Sequence, residues 1–212
     1  MRAALRTGIF GHAWSGARGA DLSFIARALL TAAVGTLVGL WLTSLVVHGS
    51  FPFGAVRVGP WTAFPTIGSP TIDPYARAIL SVSAFAPIGS DEGVAFFAER
   101  DSDGGRLDGR CDYVLETAEP AARFWSLALF DTKGRAFDNV ARRYALTSQE
   151  IVRIDRSTII SVGRDIQSGN WLPSPEGPFV LMLSLYEANS GTATAAAADM
   201  VIPTIRRGTC RR

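Results

Sequence analysis

Three features of the sequence predict a mainly β fold, a jelly-roll-like β-sandwich with one or two short helices preceded by a single N-terminal transmembrane helix. The first is a twenty-residue run without a charge, residues 28–47. The second is a succession of short apolar runs rich in Val, Ile, Phe, Tyr and Trp, separated by turn residues. The third is an apolar surplus: mean hydropathy is +0.19 with only 19% charged residues, high for a wholly soluble domain. At 212 residues the chain fits one domain of ordinary size plus an accessory segment. That is enough to bury a sizeable core, which excludes disorder for most of it.

The run ALLTAAVGTLVGLWLTSLVV (28–47) covers about 30 Å as a helix, the hydrocarbon thickness of a bilayer. Leu, Val, Ala and Trp occupy every face of it, whereas a soluble core helix needs an amphipathic stripe. A transmembrane helix is therefore expected over residues 28–48, with a basic cytoplasmic tail over 1–27. Arg2, Arg6, Arg18 and Arg27 precede the span against Asp21 alone, and only Arg57 follows closely. The positive-inside rule then places the N-terminus in the cytoplasm and the C-terminal domain in the periplasm of a bacterial inner membrane. An uncleaved anchor is favoured over a cleaved signal peptide, because the run is longer than a usual signal core and no Ala-x-Ala pattern follows. Gly35 and Gly39 form a GxxxG pattern through which a homodimer would pack, although small residues are also common in such spans.

Residues 49–72 are dense in Gly and Pro yet hold Phe51, Phe53, Trp61 and Phe64. They are expected to form an extended strap whose later half packs on the domain, with Phe51, Trp61 and Phe53 near the membrane interface. The domain proper is expected over 73–212. Asp73 caps a helix with Pro74 at its first position; Tyr75, Ala78, Ile79, Val82 and Phe85 recur at helical spacing until Pro87 and Gly89. Strands are then expected over 94–98, 113–116, 124–130, 158–162, 179–186 and 200–205. In the third, Trp125, Leu127 and Leu129 alternate with smaller or outward residues and are core-facing. Such a series argues for a sandwich. The biased tract 192–198 is a surface loop or short helical turn.

The segments DPYARA, FFAERDSDGGRLDGRCDYVLE, FWSLALFD, RRYAL and GNWLPSPEGPFVLMLSLY resemble the bacterial DUF1214 family. The resemblance covers roughly residues 73–190. Its most specific part is Asn-Trp-Leu-Pro-x-Pro at 170–175 followed by Gly177-Pro178-Phe179. The family implies a jelly-roll-like β-sandwich and an envelope location, and it brings no catalytic residues. In longer relatives this domain follows a DUF1254 domain; here a membrane anchor takes its place, which resembles a short, membrane-bound branch.

Several chemistries are excluded by composition. The two histidines, His12 and His48, leave none in residues 49–212, so Ser-His-Asp and Cys-His nucleophilic mechanisms and His-based metal sites are ruled out there. Lys133 is the sole lysine and sits in the turn Asp131-Thr132-Lys133-Gly134, a poor place for a desolvated amine. No Walker or dinucleotide fingerprint is present, so no cofactor is expected. The acidic turn over 101–109 carries Asp101, Asp103 and Asp108. As a calcium loop it fails, with Arg106 where Gly and Asp112 where Glu would be needed, so no metal is expected and a structural turn is preferred. Trp125, Trp171, Tyr113, Tyr144 and Tyr186, with Arg142 and Arg143, would line a cleft for a sugar or acyl chain, or else belong to the core. Asn170 flanks Trp171, the first of these to watch. Arg142-Arg143 is too short for a nucleic-acid patch, so no nucleic acid partner is expected.

Cys111 and Cys210 form no CxxC pair, and an even pair in an oxidising compartment predicts a structural disulfide fastening the C-terminal tail. Closing so long a loop stabilises by up to roughly 4–5 kcal/mol in the chain-entropy model. The expected function is an envelope module that binds a protein, glycan or lipid or plays a structural part. The alternative is an envelope hydrolase or carbohydrate-active enzyme working with carboxylates. The net charge of +2 divides into +3 before the span, four Arg less Asp21, and −1 after it, seventeen basic less eighteen acidic. The basic pI is thus a topology signal, not a sign of an anionic ligand.

Overall fold

The computed structural model describes residues 17–48, 55–65, 69, 72–82, 88–89, 92–118, 120, 122–153, 157–187 and 201–211. The chain divides into two compact units, 1–49 and 50–212. Among the described residues the first holds one helix, α1 (Ala17–His48), and the second is mainly β, with ten strands in two sheets and a short helix, α2 (Pro74–Val82).

α1 starts eleven residues before the apolar run, because Ala17–Arg27 is rich in Ala, Leu, Phe and Ile and contains no proline. Its Leu22–Leu45 stretch is long and apolar enough to cross a membrane. Every side chain from Leu22 to Leu45 is exposed. Its hydroxyls are satisfied within the helix: Thr31 donates to Ala28 O, Thr36 to Ala32 O and Thr43 to Gly39 O, each at 2.9 Å.

In the β unit the strands are β1 (Val56–Val58), β2 (Trp61–Ala63), β3 (Gly93–Ala98), β4 (Cys111–Ala118), β5 (Phe124–Asp131), β6 (Ala145–Thr147), β7 (Ser157–Gly163), β8 (Asn170–Pro173), β9 (Phe179–Tyr186) and β10 (Thr204–Cys210). A six-stranded sheet runs β1-β2-β3-β9-β5-β6 and a four-stranded sheet runs β10-β4-β7-β8. One hydrophobic core joins them. Phe96, Trp125, Leu127, Leu129, Leu181 and Leu183 come from the first sheet and Tyr113, Leu115, Ile160, Val162, Leu172 and Ile205 from the second. The Tyr113 and Phe179 rings meet edge to face across the interface, 5.7 Å between centroids. Period-two burial produces this arrangement: in β5 Trp125, Leu127 and Leu129 point inward as predicted, and β4 alternates likewise. β9 is a central strand with both faces largely covered, which is why FVLMLSLY reads as a continuous apolar run.

Several expectations change. The strap is not without regular structure, since a hairpin of β1 and β2 extends the six-stranded sheet inside it. Trp61 is not an interfacial residue. It is 1% exposed, and its Nε1–H donates to Pro203 O at 2.7 Å, so an inward position in β2 outweighs the aromatic preference for the interface. Phe51, Phe53 and the 192–198 tract lie outside the described residues. α2 begins as predicted, with Asp73 Oδ1 accepting the Ala76 N–H at 3.3 Å, and the stretch 83–87 is not described. The last strand is shifted from 200–205 to Thr204–Cys210. Pro203 cannot donate to a ladder, and pairing with β4 carries the strand on into polar residues. β6 and β8 carry too few residues to show a period. β8 pairs in parallel with β7 through a link of only six residues, 164–169. The link retraces just three rungs of the ladder, and Gly169 with φ 80° reverses the chain.

Candidate functional site

Two of the segments that carry the family resemblance, 96–116 and 169–186, meet at one end of the β unit. Gly109 N donates to Gly177 O at 2.8 Å, Phe179 N donates to Leu107 O at 3.4 Å, and Asp108 bridges to Pro178. A Cβ at Gly109 would collide with the Pro175 carbonyl, so only glycine allows this approach. Tyr113 locks the junction from below: its hydroxyl accepts the Asp108 N–H at 2.9 Å and donates to Arg106 O at 3.4 Å.

Asp101 is the hub of the acidic turn. It is 2% exposed, with Oδ1 accepting the Gly105 N–H at 2.7 Å and the Asp103 N–H at 3.1 Å. Its Oδ2 pairs with Arg207 of β10 at 2.7 Å. Arg207 also donates to Arg106 O at 2.9 Å and lies over the Tyr113 ring. Gly104, with φ 86°, turns the chain back. Ser102 then bonds Ile205 twice, accepting its N–H through Oγ and donating its own N–H to the Ile205 carbonyl, both at 2.9 Å. Ile205 belongs to the end strand of the four-stranded sheet, so the turn covers an open strand edge, a standing liability in sheets. Asp103 is exposed. Asp108 is pinned by Arg110, whose guanidinium and backbone N–H both bond its carboxylate and hold its pKa below the usual carboxylate range. Asp131 is lowered too, first by the Arg135 backbone N–H.

The opposite edge, β8, is covered by different means. Asn170 is 9% exposed; its Oδ1 accepts the Val152 N–H at 2.8 Å while Nδ2 donates to Val152 O at 2.8 Å and to Ile159 O at 2.9 Å. One side-chain amide thus serves as a strand neighbour. Trp171 Nε1–H donates to Gly163 O at 2.9 Å. Arg143, not Arg142, reaches this place: its Nη1 donates to Trp171 O at 2.8 Å and its guanidinium lies over the indole at 6.0 Å. Asn139 holds Arg143 by its N–H and carbonyl. Arg142 is exposed at φ 47°, where its N–H closes a turn on Asn139 O.

The structure therefore separates the predicted residues. Asp101 joins the clasp at β10, Asp108 is held by Arg110 and the Tyr113 hydroxyl in the same turn, and Asn170 and Trp171 join the clasp at β8. Trp125 stands in the core, where its Nε1–H meets no acceptor among the described residues. Tyr144 is 43% exposed, whereas Trp125 and Trp171 are buried. Among the described residues no group of three His, Cys, Asp or Glu is gathered for a metal. Sequence reasoning missed Arg207, Ser102 and Gly109. The first two act across about a hundred residues, and Gly109 is singled out only by how closely the Pro175 carbonyl approaches it. Cys111 and Cys210 are joined as predicted.

These features define a two-sheet, mainly β domain whose polar motifs are turned inward onto its own strand edges. Residues 92–190 match the family model described as Protein of unknown function (DUF1214), so this stretch of the β domain is similar to that family. Among solved structures it is similar to the VPA0106 protein from Vibrio parahaemolyticus, at 23% identity and a TM-score of 0.50 over 56% of this chain and 31% of that one. It also matches an uncharacterized protein from Burkholderia cenocepacia, at 19% identity and a TM-score of 0.44 over 86% of this chain and 43% of that one. The chain thus spans less than half the length of either. The first likeness bears on the fold alone. No curated protein matches.

Proposed function

We propose that this chain is a single-pass protein of the bacterial inner membrane, with residues 28–48 in the bilayer, a cytoplasmic N-terminus and a periplasmic β domain. In this reading the domain is a binding or structural module of the envelope, with an envelope protein, glycan or lipid as partner. The observation that carries the reading is α1: from Leu22 to Leu45 every side chain is exposed, apolar residues occupy all faces, and the threonine hydroxyls are bonded within the helix. Such a surface is stable in hydrocarbon and not in water. The charge difference across the span and the Cys111–Cys210 disulfide support the same orientation. A non-enzymatic role is supported by the state of the carboxylates. A general acid needs a raised pKa; Asp108 and Asp131 are lowered, and both oxygens of Asp101 are engaged.

The test is membrane fractionation with a topology reporter. The chain is expected to stay in the carbonate-washed membrane pellet, and alkaline phosphatase fused after Arg212 is expected to be active. Release of the full chain by carbonate, or an inactive phosphatase beside a fluorescent cytoplasmic reporter at the same place, overturns the reading.

A further inference from the structure

β10 is held in two unequal halves. Its first half is rooted: Ile205 is fully buried, Ser102 bonds it twice, and Arg207 pairs with the buried Asp101. After Arg207 the register with β4 shifts, and pairing resumes only at Cys210, opposite Cys111. From Gly208 onward the holds are different in kind. Thr209 bonds Asp112 at 3.3 Å, Arg211 N–H donates to Arg110 O at 2.8 Å, and the Arg211 guanidinium pairs with Asp165. All three lie at exposed positions, where ion pairs and hydrogen bonds contribute about 0–1 kcal/mol each. Beside the ladder pairing at Cys210, the covalent link is the strongest hold on this tip among the described residues. Its two residues are unequally placed, since Cys111 is 8% exposed whereas Cys210 is exposed.

We propose that Cys111–Cys210 is a thiol-operated latch that opens in the folded domain and releases residues 208–212 alone. A dithiol donor attacks, as its thiolate, the Sγ of the exposed residue Cys210, forming a mixed disulfide and expelling the Cys111 sulfur as the leaving thiolate, which takes up a proton. The donor's second thiol then attacks its own sulfur in the mixed disulfide. Cys210 leaves as a thiol and the donor departs as a disulfide, so two electrons pass from the dithiol to the bridge. The rooted half stays, because none of its contacts depends on the bridge. The freed tip carries Cys210 with Arg211 and Arg212 and uncovers Asp112 at the start of β4. The loop-closure contribution of the disulfide acts on the unfolded chain, so lower global stability and a retained fold are compatible. This inference does not depend on the membrane reading.

The full chain in detergent micelles is treated with dithiothreitol at a series of concentrations, and opening is followed by alkylation and mass measurement. The opening rate is expected to rise in proportion to dithiothreitol over at least a tenfold range. The tryptophan spectrum of Trp61, Trp125 and Trp171 is expected to remain unchanged. Trypsin is then expected to remove residues 208–212 from the reduced chain, while Cys210→Ser loses them without any thiol. The proposal is overturned by a rate that stops responding to dithiothreitol and equals the rate of global unfolding, or by loss of the tryptophan signal together with the bridge. It is overturned equally if the tip of Cys210→Ser resists trypsin as the oxidised chain does.

Discussion

The two end strands of the four-stranded sheet face the same problem and solve it with different chemistry. At β10 the cover is a turn organised by a buried carboxylate, Asp101, which binds two backbone N–H groups and a partly exposed guanidinium. At β8 it is a neutral amide, Asn170, which binds one N–H and two carbonyls, helped by Arg143 on the Trp171 carbonyl. A charged clasp is strong while every partner is present and costs much when one is lost, because a buried charge without its partner is left behind. A neutral clasp loses less and is indifferent to salt. Where a domain's motif residues close its own edges, the sequence pattern is one that the fold itself requires.

The comparison breaks most sharply at Asp101. Asp101→Ala removes the acceptor for two N–H groups and strands Arg207. It is expected to lower the unfolding free energy by about 2–4 kcal/mol, the cost of leaving buried backbone N–H groups without their acceptor; Asp101→Asn, which keeps an acceptor, is expected to lose roughly half of that. Denaturant unfolding of the full chain in micelles measures both, and equal losses would remove the charge from the account. Asn170→Ala leaves the Val152 N–H, the Val152 carbonyl and the Ile159 carbonyl without that partner, an expected cost of about 2–3 kcal/mol. Arg143→Ala gives up one hydrogen bond and a cation–π contact, about 1–2 kcal/mol, and Arg143→Lys is expected to recover only part because its ammonium cannot lie flat on the indole.

Smaller effects sharpen the contrast. Raising salt from about 0.05 to about 1 M shortens the screening length several-fold. It is expected to shrink the Arg207→Ala penalty measurably and leave the Asn170→Ala penalty where it was; parallel shifts would mean the two clasps are electrostatically alike. Asp108 and Asp131 have folded pKa values below their unfolded ones. Their contribution is therefore complete above about pH 4 and is lost as pH falls through the folded values. Asp108→Asn and Asp131→Asn are each expected to flatten the acid limb of stability against pH, and an unaltered limb would assign it to other carboxylates. The effect is the smallest, because both side chains are partly exposed.

Long elements were legible and short ones were not, for a physical reason. β5 and β9 have eight residues each, enough for alternation or a continuous apolar run to show. β6 and β8 have three and four, and what places them is a neighbour's free edge. Trp61 shows the other limit: its ring suits a membrane interface and a core equally, and pairing of β2 with β3 chose the core. The site was half legible. Asp101, Asp108, Asn170 and Trp171 stood out by type and spacing, yet what they bind is mostly backbone, whose groups are identical in every residue and carry no mark in the sequence.

Composition and periodicity by themselves determined an apolar helix of bilayer length, a β-rich domain, the absence of histidine chemistry from residues 49–212 and the pairing of two cysteines. These follow from local chemistry and from counting. Tertiary structure alone decided that Arg207 meets Asp101, that Arg143 and not Arg142 reaches Trp171, and that the motif turns close strand edges. Each of these joins residues far apart in the chain, and such partners are selected by the register of whole sheets, which no single position encodes.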